Sequence, residues 1–151
     1  LTPTRRIKDY TEMKYVEGEF KEDINYNYLW KSEDKLFFIY NNYKTYKFLG
    51  RQIFPVPKVL GKILLSLDRY KYDYLFQQVY GFNKLSQPYM SKYLKTLLLK
   101  ATGKNLSLNS LRHSLITHRI NRVNVSMKDR KELASKMGHG IRQQLEYLRL
   151  V

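Results

Sequence analysis

Apolar residues along this chain switch between two periods. Leu60, Ile63, Leu64 and Leu67 fall at i, i+3, i+4 and i+7, the spacing of one helix face. Met90, Tyr93, Leu94, Leu97 and Leu98 repeat it, with Pro88 in the first turn, where its missing N–H costs nothing. Ser107 reads as an N-cap for a helix through Leu108, Leu111 and Leu115. A further helix is predicted from about Lys128 to Met137, closed by Gly138. A last one is predicted from Ile141 to Leu148. Ahead of these, Ile7, Tyr10 and Met13 predict a short helix over Arg6 to Tyr15.

After Gly18 the period shortens. Ile24 to Trp30, Lys35 to Tyr40 and Arg51 to Val56 are aromatic or alternating runs, which predicts three strands of a small antiparallel sheet. Ser32-Glu33-Asp34 reads as a turn, Tyr43 to Gly50 as a basic loop, and Pro55 and Pro57 as the end of the sheet. Tyr74-Leu75-Phe76 is a further candidate for extended chain. The expected class is α+β, with a three-stranded sheet at one edge of a mostly helical body. Residues 1–151 read as one domain, because no repeat or linker divides them.

Charge narrows the partners. There are 28 Lys+Arg against 13 Asp+Glu, a formal +15, which favours a polyanion. Nucleic acid comes first, with a ribosomal role or an anionic membrane surface as competitors. The longest apolar runs, such as Ile63-Leu64-Leu65 and Leu97-Leu98-Leu99, are too short to span a bilayer; with nucleic acid ranked first, no membrane partner is expected. With no cysteine, disulfides, thiolate metal sites and thiol catalysis are excluded.

The chemistry-bearing residues gather late in the chain. Asn109-Ser110-Leu111-Arg112, then Met137-Gly138-His139, then Tyr147 put an arginine, a histidine and a tyrosine in order. A tyrosine hydroxyl can attack a phosphodiester. Arginine holds phosphate oxygens bidentately and stays charged throughout. Histidine adds a hydrogen-bond donor. Each residue alone has a plainer meaning: Tyr147 as core, Arg112 as a backbone-phosphate contact, His139 as a helix cap. Tyrosine is common here, at 14 residues. Only the ordered set points to strand transfer.

That set resembles the C-terminal catalytic domain of the tyrosine recombinases, the phage-integrase family. The run NSLRHSLITHRI at 109–120 matches its HxxR box, with Arg112 as the arginine. His139, after Gly138, matches the later histidine, and Tyr147, eight residues on, matches the nucleophile. In RRIKD, Arg6 with Asp9 three positions later matches the first arginine, with Arg5 as the alternative register. Lys44-Thr45, ahead of Ile53-Phe54-Pro55-Val56-Pro57, matches the hairpin lysine. The resemblance covers nearly the whole chain. One position departs from it: Asn109 stands where the box has histidine, and an amide can donate a hydrogen bond but is no base near neutral pH. His113 would point about 100° away from Arg112 on a helix, a poor substitute.

The resemblance implies cleavage and rejoining of double-stranded DNA through a covalent 3′-phosphotyrosine, for integration or recombination. Tyr147 is the expected nucleophile, Arg6 and Arg112 the charge stabilisers, His139 a donor and Lys44 the acid for the leaving 5′-oxygen. Asn109 occupies the remaining position. No metal, ATP or other cofactor is implied. Family members usually carry an N-terminal clamp domain and a C-terminal tail, so this chain is expected to be part of a longer protein. It is expected to be a monomer alone and a homo-tetramer on DNA, located inside the cell where DNA is held. A type IB topoisomerase shares the chemistry. A DNA-binding module that keeps the fold without the reaction is the alternative that Asn109 leaves open.

Overall fold

The computed structural model describes residues 4–66, 73–78, 83–120 and 125–148, with the backbone alone at 147 and 148. It is α+β, 48% helical, with a four-stranded mixed sheet. The chain opens with α1 (Ile7–Thr11) and β1 (Met13–Glu17). β2 (Asn27–Ser32), β3 (Lys35–Tyr40), the short α2 (Tyr46–Leu49) and β4 (Gln52–Pro55) follow. The helices α3 (Lys58–Leu65), α4 (Gln87–Thr102), α5 (Leu108–Ile120), α6 (Met127–Lys136) and α7 (Ile141–Leu148) complete it.

The sheet order is β1-β2-β3-β4. β2, β3 and β4 pair antiparallel, but β1 lies parallel to β2 with Met13 opposite Asn27. This corrects two expectations. The sheet has four strands, and the helix predicted over Arg6 to Tyr15 ends at Thr11. The apolar spacing of Ile7, Tyr10 and Met13 fits a helix locally. Beyond Thr11, however, Tyr15 and Val16 suit a pleated strand, and pairing with β2 outweighs the local period. β1 is covered on its other side, where Tyr15 N donates to Asp73 O at 3.1 Å and Leu75 N to Met13 O at 2.7 Å. The extended reading of Tyr74 finds its place here, bridged to Lys14. Ile24 lies ahead of β2 rather than in it and is exposed. The predicted 43–50 loop contains α2.

One face of the sheet carries the main core. Met13, Leu29, Leu36, Phe38, Tyr40 and Leu64 are buried together, with Tyr10, Tyr15 and Phe54 packed on them. A smaller cluster joins Ile116 and Ile120 of α5 to Met137, with Leu115 and Leu133 beside it. Caps set the helix limits. Ser86 accepts from Tyr89 N ahead of α4, and Gly103, in the left-handed region, ends it. Ser126 and Asp129 form a reciprocal capping box on α6.

Candidate active site

Arg112 is the centre of the site. It lies on the buried stripe of α5 with Ile116 and Ile120, the i, i+4, i+8 positions of one face. A guanidinium 1% exposed needs partners. Its Nη1 donates to Thr4 O at 2.8 Å and its Nη2 to Met137 O at 3.3 Å. Nη2 also meets His139 Nδ1 at 3.2 Å. Arginine can only donate, so Nδ1 accepts and the neutral ring carries its proton on Nε2. Burial, then the charge of Arg112, then Arg6 and Arg5, lower the His139 pKa to about 4. The imidazole is therefore neutral at pH 7, with Nε2–H as a donor.

Gly138 presents His139. It holds φ at +66°, the left-handed region, and His139 N donates to Ala134 O at 3.1 Å as α6 ends. Thr45 Oγ1 donates to Gly138 O at 3.0 Å. The lysine loop is thus tied to the histidine turn across 93 residues of chain.

The other predicted residues meet at an open cleft of ≈ 700 Å³. Arg6, Lys44, Asn109 and Arg112 all line it. The N-terminal segment, the β3–β4 connection and α5 therefore share one wall. His139 stands behind that wall, bonded to Arg112. The two arginine registers separate clearly: Arg6 lines the cleft, whereas Arg5 is 1% exposed and does not. Tyr147 lies on α7, four residues after Gln143, and Gln143 lines the cleft and accepts from Arg6 Nη2 at 3.4 Å. The side chain of Tyr147 is outside the described residues.

Apart from Asp9, which the RRIKD spacing singles out, the groups that hold this arrangement were missed by sequence reasoning. Asn27, fully buried, donates Nδ2 to Asp9 O and Asn42 O at 3.0 Å each. Its Oδ1 accepts from Asn41 N at 2.9 Å and Asn42 N at 2.8 Å. It thereby pins α1 to the corner that leads into Lys44. Asp9, 3% exposed, accepts from Arg6 N at 3.3 Å. Burial raises its pKa, against the opposing charge of Arg5. Gln87, Ser91 and Gln143 also line the cleft. Neutral amides and hydroxyls on helices carry no pattern by which a sequence would single them out.

Arg6, Lys8, Lys44 and Arg112 line the opening with one carboxylate, Asp9, and the amides of Gln87, Asn109 and Gln143, so its cations and donors can receive an oxyanion. Among the described residues, no group of three or more His, Asp or Glu could hold a metal ion. Nor is any described helix long and apolar enough to cross a membrane. Compared with family models, curated proteins and solved structures, the chain matches none.

Proposed function

We propose that this chain is the catalytic domain of a tyrosine recombinase, cutting and rejoining double-stranded DNA without metal or ATP. The observation that carries the reading is the meeting of Arg6, Lys44, Asn109 and Arg112 at one cleft, with His139 on Arg112. Arg6 and Arg112 are separated by 106 residues, and nothing in a basic surface alone requires them to converge.

In this reading, a backbone phosphate sits in the cleft with its non-bridging oxygens on Arg6 and Arg112. Tyr147 Oη attacks phosphorus and forms the phosphotyrosine ester as the P–O5′ bond breaks. Lys44 gives a proton to the leaving 5′-oxygen, and the tyrosine proton passes to water. The neutral imidazole of His139 supplies a donor without adding a third full charge beside the arginines. Asn109 supplies a donor where a histidine would supply a base. One ester replaces another, so a 5′-hydroxyl can reverse the step with no external energy source. The protein acts as a monomer in isolation and as a homo-tetramer on DNA, wherever the cell or a mobile element keeps that DNA.

Asn109 favours a second reading, a DNA-binding module that keeps the fold and lacks the chemistry. A duplex nicked just past the cleavage point separates the two, because it loses the short 5′-hydroxyl fragment and traps the ester. A protein–DNA band that survives denaturation supports the enzyme. Binding without such a band supports the module.

A further inference from the structure

Arg5 is the most deeply buried cation that the proposed chemistry leaves unused. Its guanidinium carbon lies 4.1 Å from the ring centroid of Tyr40, 4.9 Å from that of Tyr43 and 5.6 Å from that of Phe54. Its Nη2 donates to Gln52 Oε1 and, at 3.5 Å, to Ser135 O. Nε and Nη1 are buried without an acceptor among the described residues. Nor does Arg5 form an ion pair among the described residues. Asp9 attracts this charge without an ion-pair contact, and an apolar side chain of similar volume would be easier to accommodate. Stability alone does not explain an arginine here.

Its neighbours do. A Cβ on Gly138 would overlap Arg5 Nη1 and come within 3.3 Å of Cζ, so the two residues are packed against each other. Ser135 O, in the last turn of α6, also accepts from Gly138 N at 2.9 Å, so the fork and the Gly138 turn share one acceptor at a helix end that attracts cations. Gln52 opens β4. One planar fork thus touches the sheet, the end of α6 and the turn that carries His139.

We propose that Arg5 is the positioning residue of this cleft: stacked on three aromatic rings behind it, the guanidinium fixes the Gly138 turn and so sets where His139 meets Arg112. A flexible ammonium cannot stack on the rings and bridge both carbonyl partners together. The effect on reaction rate rests on the recombinase reading, whereas the effect on His139 does not.

The test uses the whole chain with Arg5→Met, which keeps an unbranched stem and removes the fork. The three histidines are followed by NMR across pH, and covalent adduct formation is timed on the nicked duplex at saturating DNA. The charged groups facing His139 are Arg112 of α5, with Arg6 and Arg5 of the N-terminal segment. The variant should shift the His139 resonance and raise its midpoint by only a few tenths of a pH unit, since Arg5 is the smallest of the charges that lower it, leaving the His113 and His118 resonances in place. Adduct formation should slow ~10-fold or more, with DNA affinity held within ~2-fold. A folded Arg5→Met protein whose His139 keeps the parent's resonance and midpoint overturns the proposal, whatever the adduct assay gives. If the parent itself forms no adduct, the recombinase reading fails and the NMR result alone decides the role of Arg5. If Arg5→Met does not fold, Arg5→Lys takes its place. A displaced His139 resonance with the parent's low midpoint then supports the proposal, and an undisplaced one overturns it.

Discussion

Behind β2 and β3 the interior is hydrocarbon and aromatic: Leu29, Leu36, Phe38 and Tyr40, with Met13 and Leu64. Around α5 and the α6–α7 turn it is mixed. Ile116, Ile120 and Met137 share that space with Arg112, His139 and Gln144, each no more than 1% exposed except Ile120 at 7%. Neither polar end of Gln144 has a partner among the described residues. The sheet region is built to be stable. The helical region holds polar groups in fixed positions, which costs stability unless every donor is met. The difference places an apolar platform under Arg5 and α1, and the buried polar groups on α5 and the turn after α6.

The first way to break this comparison is to cut into the platform. Phe38→Ala should destabilise the protein by about 4 kcal/mol, the range for removing a buried aromatic ring. Urea unfolding measures it. A loss below about 1 kcal/mol would mean that the sheet core is not the platform described.

The second effect is smaller and belongs to the helical region. The His139 pKa is lowered from 6.5 to about 4, so between these values the unfolded chain binds the proton more tightly. Stability from this residue is complete above pH 6.5 and is lost as the pH falls towards 4, by up to about 3 kcal/mol. Asp9 works in the opposite direction, since its raised pKa favours protonation in the folded state. The comparison to make is therefore parent against His139→Asn in urea at pH 7 and pH 4.5. The parent should lose its advantage at the lower pH. An advantage that stays constant would place the ring in a wetter site than its burial implies.

Most of the elements, though not this contrast, were legible in the sequence, and the limits of legibility have physical causes. Strands β3 and β4 and helices α3 to α7 follow local periods that tertiary packing reinforces. β1 does not. Its five residues follow a helical turn with compatible apolar spacing, and parallel pairing to β2 across residues 18–26 is a non-local choice. In the site, Arg112, His139, Lys44 and Arg6 were legible because their order resembles a family motif. Asn27, Gln143 and the burial of Arg5 were not. The spacing to Asp9 favoured Arg6 over Arg5, but the ring cage of Tyr40, Tyr43 and Phe54 that holds Arg5 leaves no mark in the sequence.

A smaller effect belongs to the capping box of α6. Ser126 Oγ accepts from Asp129 N at 3.1 Å, and Asp129 Oδ2 accepts from Ser126 N at 3.2 Å. Ser126→Ala should cost about 1 kcal/mol and increase amide exchange at the start of α6 while leaving β2 and β3 protected. Uniform acceleration across the sheet would show that the two regions open as one unit.

If the cleft holds a phosphate for attack by Tyr147, as proposed, covalent capture of DNA depends on that one hydroxyl. Parent and Tyr147→Phe proteins are incubated with the nicked duplex and run on a denaturing gel, with binding measured in parallel at fixed salt. The parent should give a covalent band and the Phe variant none, with affinities within ~2-fold, because charge rather than one hydroxyl provides most of the binding. A covalent band that persists in Tyr147→Phe would assign the nucleophile elsewhere. No band from either protein, with DNA bound tightly by both, would contradict the catalytic reading.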